Sequence, residues 1–419
     1  LASVYFSGPL LKNSKGESVL GYRFSGQYRN IDDNSPSAVG VYRAPESVIK
    51  SLEANPLGDL NGSLVRTAES LTNADIGEPF KARPNETAID YNLTAKIDAK
   101  VNDAIDVSIS GGVINSKDRF TPNATLSNSG PWSMFNWTRN PYSYSNTYRG
   151  NLRIRHKLGK QGSISQEEKE QGAVSNFRNF SYSLQLGYEK INRKSEDLIH
   201  EDNFFKYGYI GHENYEWTPQ ILPVLPGGPT EDFPWYHQAY SQLYDADVPL
   251  ISVDPTNNPV LGNYTNFNGF ISETATNTIW SGLYGNVGQV YNSYAKSEQE
   301  IYSANINAGF DLIPGGAEKG RHNIQFGFLY EQRVNRSWSI SPFGLWDIGN
   351  TIVNSHLNGI DYNNIIGDTT FVDFTGTQYN LPLFAPNVNV AEDARFLLRV
   401  RELLGKDVSE YVNLSDLSP

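Results

Sequence analysis

The chain has 419 residues, among them 25 Tyr, 20 Phe and 7 Trp, a formal net charge of −12 and no cysteine. This length accommodates one large barrel or two to three ordinary domains. No apolar run approaches the roughly 18 residues that a membrane-spanning helix needs, which excludes helical spanning but not alternating membrane strands. The acidic balance and the lack of a long Lys/Arg run argue against nucleic acid as a partner. Without cysteine, disulfides, thiolate catalysis and Cys-based zinc sites are excluded.

Eight stretches alternate apolar and polar residues, which is the pattern of strands whose side chains point to two opposite sheet faces. Their apolar positions, in chain order, are Val4 and Phe6; Leu20, Tyr22, Phe24 and Tyr28; Ile89, Tyr91, Leu93, Ala95, Ile97 and Val101; Ile105, Val107, Ile109 and Val113; Leu152, Ile154 and Leu158; Phe180, Tyr182, Leu184, Leu186 and Tyr188; Tyr302, Ala304, Ile306, Ala308, Phe310 and Leu312; and Ile324, Phe326, Phe328 and Tyr330. The last two stretches form the clearest hairpin, with Leu329 as the one apolar residue on its polar side. Its apolar face either packs into a soluble core or faces lipid in a membrane barrel.

The connections between these strands alternate in length. Short connections lie near residues 12–18, 102–104, 159–175 and 314–320, and long ones lie near 32–87, 117–146 and 194–300, with another beginning near 335. An up-and-down membrane barrel has tight periplasmic turns at one end and long extracellular loops at the other. In a soluble β-sandwich, long loops are not expected at every second connection. Loops of this length are also uncommon in a compact soluble domain. The alternation therefore favours a membrane barrel.

Two stretches in the long connections have helical patterns. Residues 45–54 place Pro at the first turn, and residues 391–404 have acids first, a later apolar stripe and a following Gly405. We expect residues 1–334 to form part of the barrel wall with its loops, and residues 335–419 to form an unfinished extracellular loop that carries the second helix. The first residues of the chain already have the pattern of a strand, and the last residues contain no element that would complete a barrel. We therefore expect a piece of a longer polypeptide.

A search for catalytic motifs predicts no enzyme. Ser47 and Lys50 match an S-x-x-K pattern on a predicted surface helix, where a chance match is expected, and the chain has no G-x-S-x-G, Walker loop or dinucleotide fingerprint. The six histidines are scattered without ligand spacing, so no zinc site is predicted. Asp245, Asp247 and Asp254 lie close together in the longest loop and are candidate ligands of a loop-bound calcium ion, although an EF-hand pattern is missing.

The loop near residues 194–300 is the best candidate for ligand binding. It is modestly enriched in aromatic residues, whose rings stack on sugars or anchor protein partners. The candidate ligand-binding residues are Trp217, Trp235, Tyr236, Trp280 and Tyr284. The alternative for each of them is that its ring packs the loop against itself.

Six segments of the chain carry a resemblance to a known family. They are FSGPLL (6–11), YRFSGQYR (22–29), DNSPSAVGVYR (33–43), LEANPL (52–57), DNFFKYGYIGH (202–212) and RFLLRVRELLG (395–405). These segments resemble the barrel of TonB-dependent outer-membrane receptors, in particular the SusC-like and related type with a carboxypeptidase-regulatory-like N-terminal domain. The resemblance covers most of the chain, is most specific near its start and is looser from about 214 to 300.

The resemblance implies an all-β fold, a large antiparallel transmembrane β-barrel of about 22 strands with a plug domain in its lumen, of which eight strands would be about a third. The family's plug domain and TonB box would precede Leu1, so no TonB-contacting residue is assigned here. The implied location is the outer membrane. The implied partners are outer-membrane lipid, TonB acting through the plug, and a surface lipoprotein that forms a lid.

The function expected from the resemblance is import of a bulky nutrient, such as a glycan or a peptide, across the outer membrane. One alternative is a structural barrel subunit of a larger envelope complex that has lost transport. Another is a soluble all-β binding module. An intact TonB box upstream would separate transport from the structural role, and folding without detergent would favour the soluble module.

Overall fold

In the computed structural model, eight long strands form one antiparallel sheet and follow one another in chain order from edge to edge. We number them β1 (Ala2–Lys12), β2 (Ser18–Ile31), β3 (Ala88–Lys100), β4 (Ile105–Arg119), β5 (Tyr142–Leu158), β6 (Phe177–Glu196), β7 (Tyr294–Leu312) and β8 (His322–Ile340). The structure describes residues 1–33, 36–122, 132–162, 176–223, 236–268, 284–285, 287–314, 320–372 and 376–419. The predicted all-β class and the eight alternating strands are confirmed.

The hydrogen-bond register gives the sheet one apolar and one polar face. One cross-strand row contains Tyr22, Ile97, Ile109, Leu152, Leu186, Ala304 and Tyr330. The adjacent row contains Arg23, Lys96, Ser110, Asn151, Gly187, Ser303 and Glu331. Because successive residues of a strand point to opposite faces, the alternation within each strand becomes two chemically distinct surfaces. The register between β6 and β7 shifts beside Asn179, which has a φ of +52°.

The hydrophobic core lies in the connections and not on the sheet. One cluster of buried residues comprises Leu57, Tyr207, Val260, Leu261, Tyr264, Val290 and Phe343, and a second comprises Ala44, Ile49, Leu52, Ala68, Phe135, Trp137 and Val287. Among the described residues, the only buried hydrophobic side chains of the eight strands are Ala88 and Tyr294, each at a strand end. On the apolar face, Phe326 and Phe328 are 58% and 64% exposed. Among the described residues the apolar face is therefore uncovered.

The strands are longer than predicted at the end that carries the long connections. The connection predicted near 117–146 spans only 120–141, and the one predicted near 194–300 spans 197–293. Over these last strand residues both faces become polar, as at Asn115, so the alternation that marks a half-buried strand disappears while backbone pairing continues. The short connections all lie at the opposite end of the sheet.

Two of the short connections are only partly described. Residues 163–175 of the predicted turn 159–175, and residues 315–319 of the predicted turn 314–320, lie outside the described residues. The turn between β1 and β2 is tight, since the Asn13 side chain accepts hydrogen bonds from the backbone amides of Lys15 and Glu17. Asn102 does the same for Ala104 and Ile105 between β3 and β4. Asx turns of this kind are typical of tight connections.

The connections contain helices and small hairpins. The four helices of nine or ten residues are α1 (Glu46–Ala54), α2 (Pro259–Asn268), α3 (Leu345–Asn354) and α4 (Arg395–Leu404). Single turns lie at Asn73–Ile76 and Trp132–Phe135. The paired short strands are Leu57–Leu60 with Ser63–Arg66, Gly211–Glu213 with Ile251–Val253, Glu216–Pro223 with Tyr236–Leu243, and Leu357–Val372 with Gln378–Val388. No helix in the described ranges is long and apolar enough to cross a lipid bilayer.

Both predicted helices are present, with one shifted start. Pro45, predicted in the first turn, directly precedes α1 and has an extended ψ of 153°. The second helix begins at Arg395 and not at 391, because Glu392 and Asp393 lie in a turn that precedes it. The region from 335, which we expect to be an unfinished extracellular loop, contains the end of β8, α3, a long hairpin and α4.

Candidate functional site: an aromatic cluster in the connections

The predicted binding residue Trp217 lies on the hairpin formed by Glu216–Pro223 and Tyr236–Leu243. In the register of this hairpin Tyr240 pairs with Pro219, two residues from Trp217. Residues two apart on a strand share a face, so Trp217 and Tyr240 are diagonal neighbours on one side of the hairpin. The local strand alternation therefore brings the two rings together.

Trp217 and four tyrosines are joined by ring contacts, and we call Tyr215, Trp217, Tyr240, Tyr244 and Tyr411 the aromatic cluster. The Trp217 ring stacks on Tyr240 at 4.1 Å between centroids and 22° between planes, and on Tyr411 at 4.8 Å and 18°. Tyr215 contacts the rings of Tyr244 and Tyr411 at 5.8 and 6.0 Å. All five side chains are half-buried, so each has one part packed and another part accessible.

The hydroxyl groups of the cluster are fixed by hydrogen bonds. The hydroxyls of Tyr215 and Tyr411 lie 3.2 Å apart, and the Asn350 side-chain amide of α3 donates to Tyr215 at 3.0 Å. Burial, followed by the hydrogen bond to Tyr411, raises the pKa of Tyr215 above its ordinary value. The hydroxyl of Tyr240 donates to the carbonyl oxygen of Phe384 at 2.8 Å. The cluster thus presents neutral phenol groups and aromatic ring faces, which suits sugars and peptides.

A second hairpin supports the first. The Gln238 side chain donates to the carbonyl of Phe384 at 2.7 Å and accepts from its amide at 2.9 Å. The predicted binding residue Tyr236 lies at this junction, with its ring 5.8 Å from that of Phe371. On the second hairpin Tyr362 is 68% exposed and Tyr379 is 44% exposed. The two hairpins therefore form one aromatic layer with both buried and accessible rings.

The structure brings only part of the predicted binding set together. Trp217 lies in the cluster, Tyr236 lies at the hairpin junction, and Tyr284 is 42% exposed outside the cluster. Trp235 and Trp280 lie outside the described residues. For Trp217 both stacked neighbours belong to this chain, which agrees with the alternative that its ring packs the connection.

Sequence reasoning missed Tyr240 and Tyr411. Tyr236, Tyr240 and Tyr244 recur at every fourth residue, which places them on one face of a strand, so this spacing was a signal for Tyr240. Tyr411 is 194 residues from Trp217 and is brought to it by the unit after β8. No local sequence pattern predicts a contact between two residues that are so far apart in the chain.

A small, partly open cavity lies beside the cluster. Its volume is about 60 Å³, and Glu213, Asp347 and Asn350 are among the residues that line it. Burial raises the pKa of the Glu213 carboxyl, and the negative charge of Asp347 raises it further. A cavity of this size holds a few water molecules, whereas sites for small-molecule ligands have volumes of about 300–1,000 Å³. This cavity is therefore too small for a ligand of that class.

Two of the three acids proposed as calcium ligands have carboxylates that accept hydrogen bonds within turns. The Asp245 carboxylate accepts from the amide of Asp247, and the Asp254 carboxylate accepts from the amide of Thr256, both at 2.9 Å. The hydrogen bonds from Thr256 lower the pKa of Asp254. Across the ranges that the structure describes, no group of three or more His, Asp or Glu side chains could hold a metal ion.

The polar face of the eight-stranded sheet carries many charges. Arg149 pairs with Glu189, and Lys96 pairs with Asp98 at 2.7 Å. Other arginines of this face are exposed and have no carboxylate partner within ion-pair distance among the described residues; they are Arg23, Arg153, Arg155 and Arg193. A surface of this kind suits contact with water, with anionic groups or with a hydrated domain.

A comparison with family models found none that matches this chain, and a search of curated protein sequences found no match either. The functional assignment therefore rests on the geometry of the sheet and of its connections.

Proposed function

We propose that this chain is the barrel portion of a TonB-dependent outer-membrane transporter that imports a bulky nutrient, such as a glycan or a peptide. The observation that carries the proposal is the uncovered apolar face of the eight-stranded sheet. Large apolar side chains remain exposed there while the chain buries its core among the connections. Soluble monomers rarely expose contiguous apolar patches above a few hundred Å², so a face of this extent fits lipid.

The height of the apolar band supports a membrane location. On β7 the band runs from Tyr302 to Leu312, with every second residue apolar. At about 3.4 Å per residue these ten steps cover about 34 Å along the strand, and a tilt of about 45° reduces the height to about 24 Å. Outer-membrane barrels carry an outward apolar band about 25 Å tall.

Aromatic residues at both margins of the band also support this location. Near the long connections the rings of Tyr28 and Tyr91, and those of Tyr188 and Tyr302, meet at 5.1 Å between centroids. Near the short connections the rings of Phe180 and Phe310 lie 6.3 Å apart. Aromatic girdles at both membrane interfaces are characteristic of outer-membrane barrels. The tyrosine margin would be the outer one, because extracellular loops are the long ones.

In this arrangement the polar face lines the lumen and the aromatic layer lies outside the cell. A nutrient would first meet the accessible rings of the layer, such as Tyr362 and Tyr379, and then the charged lumen. The eight strands would form about a third of a wall of about 22 strands, a size class whose lumen holds a plug. TonB would act on the plug of the complete transporter and supply the energy for import.

The second candidate function is that of a structural barrel subunit in an envelope complex, because such a subunit would have the same barrel wall as a transporter. The soluble binding module is disfavoured by the uncovered apolar face, since a soluble sheet of this kind would bury it. A face with Phe326 and Phe328 more than half exposed would cause association in water.

Deletion of the TonB-contacting segment in the complete protein separates transport from the structural role. We expect the deletion to abolish nutrient uptake while the heat-stable folded barrel remains in the outer membrane. Uptake and growth that stay at the wild-type level would contradict the transport proposal and favour the structural subunit. A folded, monodisperse β protein obtained from this chain alone without detergent would contradict both and favour the soluble module.

A further inference from the structure

A depression lies on the polar face of the sheet, at the end that carries the long connections. Its volume is about 470 Å³, within the range of small-molecule sites. The lining residues that point to the polar face come from β5 to β8 and are Ser143, Arg193, Ser195, Ala295, Ser297, Ser337 and Ser339. We call this depression the serine pocket. Six of these seven side chains are small, so they leave a hollow in the wall around Arg193.

Arg193 carries a charge in surroundings that have none. On the polar face its nearest positions are Ile191 and Ser195 on β6, Ser143, Ser145 and Thr147 on β5, and Ala295, Ser297 and Gln299 on β7. None of these eight residues is charged. The side chain of Arg193 is exposed, and its guanidinium makes no ion pair and no side-chain hydrogen bond with the residues that the structure describes. The guanidinium is therefore available to an anionic group from outside the chain.

The other arginines on the polar face of the eight strands each have an acidic residue among their nearest positions. The ion pairs are Arg29 with Asp90, Arg149 with Glu189, and Arg333 with Glu331. In the register Arg23 is diagonal to Asp98, Arg153 is diagonal to Asp106, and Arg155 is opposite Asp106. Among the described strands, Arg193 is thus the one arginine of this face that is surrounded by hydroxyl groups without a negative charge.

The serine pocket lies beyond the apolar band, on the extracellular side of the proposed barrel. On β6 Arg193 follows Tyr188, the residue at the margin of the band, by five positions. At about 3.4 Å per residue and a tilt of about 45°, this distance places Arg193 about 12 Å outside the margin. From there β6 leads into the connection that carries Trp217, and β8 leads into the unit that carries Tyr411. The pocket is therefore accessible to a ligand that arrives from outside the cell.

We infer that the serine pocket binds the carboxylate of an acidic sugar, so that the imported nutrient is a glycan with uronic or sialic acid units; this inference rests on the proposed function. The guanidinium of Arg193 is a planar fork of N–H donors that matches the two oxygens of a carboxylate. Serine hydroxyls both donate and accept hydrogen bonds, as sugar hydroxyls do. Among the described lining residues of the polar face, Ala295 is the only apolar one, so the pocket favours a sugar over a peptide.

The test measures ligand affinity by isothermal titration calorimetry on the complete protein, purified as a folded barrel in mild detergent. The probes are oligosaccharides that contain galacturonate, glucuronate or N-acetylneuraminate. Each is compared with its own methyl ester, which keeps the sugar hydroxyls and lacks the charge, and tetra-alanine with a free carboxyl terminus serves as the peptide probe. The test variant is Arg193→Gln. The matched control is Arg155→Gln, which removes the same charge from the same face near the short connections, and Ser337→Leu fills the pocket while Arg193 stays in place.

We expect at least one acidic oligosaccharide to bind the wild-type protein more tightly than its methyl ester does. Arg193→Gln should weaken the binding of that acid roughly 10- to 100-fold, which is the usual contribution of hydrogen bonds to a charged group, and should leave the binding of the ester unchanged. Arg155→Gln should bind both as the wild-type protein does. Ser337→Leu should weaken the binding of both, because it occupies the space of the sugar ring.

Three results would overturn the inference while the proposed function stands. They are equal affinities for acid and ester in all three pairs, equal losses in Arg193→Gln and Arg155→Gln, and tighter binding of tetra-alanine than of every sugar. Binding of the acidic sugar without uptake that depends on the TonB-contacting segment would instead overturn the proposed transport and leave the pocket as a binding site. If the protein is soluble and monodisperse without detergent, the barrel is overturned, and the same titration on the soluble protein decides the pocket.

Discussion

Tyr188 and Tyr302 face each other across β6 and β7, with ring centroids 5.1 Å apart, at the level where the exposed side of the sheet changes character. Toward the short connections the next paired positions on this side are Leu186 and Ala304. Toward the long connections the next pair is Lys190 and Glu300, whose charges lie 3.6 Å apart. One residue pair thus separates an apolar surface from an ionic one. In a membrane barrel this position is the interface between acyl chains and head groups.

The two faces of β8 should respond differently to the same charge. Phe326→Arg places a guanidinium near the middle of the apolar band, where we expect a loss of about 2–4 kcal/mol in the free energy of unfolding. Gln325→Arg, on the adjacent residue and the polar face, should be tolerated. Both variants are compared by urea unfolding in phosphatidylcholine vesicles. Equal losses would contradict the assignment of one face to lipid and the other to the lumen.

Because this chain has no cysteine, single cysteines placed in it report the topology when their labelling is compared with that of the unsubstituted protein. Asp247→Cys in the connection 197–293 should react with a membrane-impermeant maleimide on intact cells. Asp103→Cys, in the turn between β3 and β4 where the side chain is fully exposed, should react only after the outer membrane is permeabilised. The two labelling yields in intact and permeabilised cells check the orientation. The reverse pattern would place the long connections in the periplasm.

The sheet could be predicted from the sequence because its pattern is local. Every second residue of β7 from Tyr302 to Leu312 is apolar, and a one-residue change of register would move that whole set to the other face. The ends of the strands could not be predicted in the same way. Beyond Tyr302 both faces of β7 are polar, as at Gln299 and Glu298, so pairing continues without an alternation that could mark it.

In the aromatic cluster the sequence predicted Trp217 and offered a signal for Tyr240 in the four-residue tyrosine spacing, whereas the other stacked partner, Tyr411, comes from a distant part of the chain. Tyr411 reaches it only after α4, and the packing of α4 depends on Arg401, a buried residue that donates to the carbonyls of Val353 and Glu410. A buried arginine that satisfies backbone carbonyls has no signature in a single sequence. Contacts of this sequence separation are set by tertiary packing and not by local propensity.

The buried ion pair of Arg43 and Glu86 should stabilise the connections far more than an exposed pair. Arg43 donates to Glu86 at 2.6 Å, and the side chain of Arg43 is 2% exposed. Thr121 also donates to this carboxylate, so the pair joins the first and second long connections. Glu86→Ala would leave the guanidinium buried and unpaired, which costs about 3–5 kcal/mol. Hydrogen exchange of the Ala44 amide, which donates to the Met134 carbonyl, measures the loss.

The control for this prediction is the ion pair of Lys50 and Glu46 on α1, whose side chains are 71% and 58% exposed. Glu46→Ala should leave the exchange of the Ala44 amide unchanged, because solvent already screens the pair. Similar effects of Glu46→Ala and Glu86→Ala would show that the buried pair adds no stability beyond that of a surface pair.

Lowering the pH should destabilise the connection 197–293 around His200. Burial lowers the pKa of His200 below its ordinary value. The amide of Asn258 donates to two backbone carbonyls, so its oxygen accepts from Nε2 of His200 at 2.8 Å and the neutral ring is held as the Nε2–H tautomer. The unfolded state binds the proton more readily, so the stability from this group is present above about pH 6.5 and is lost as the pH falls through the folded pKa.

Hydrogen exchange of residues 203–207 at pH 7.5 and pH 5.0, corrected for intrinsic rates, measures this effect. We expect protection to fall at pH 5.0 in the wild-type protein. In His200→Gln, protection should be lower at pH 7.5 and should change little between the two pH values. A pH dependence that survives this substitution would assign the effect to other groups.

Substitutions of Trp217 test whether the aromatic cluster stabilises the segment around Val412. Its ring stacks on Tyr240 and Tyr411, and each such contact contributes about 0.5–1.5 kcal/mol. Trp217→Ala should therefore lower the protection of the Val412 amide, which donates to Asn354, by at least about fivefold, since the two contacts together contribute about 1–3 kcal/mol and about 1.4 kcal/mol corresponds to a factor of ten. Trp217→Phe should retain most of the protection because a ring remains between its two neighbours. Tyr284→Ala, which removes an exposed ring outside the cluster, should leave the Val412 amide unchanged, and unaltered protection in Trp217→Ala would show that the ring is free to serve a ligand instead.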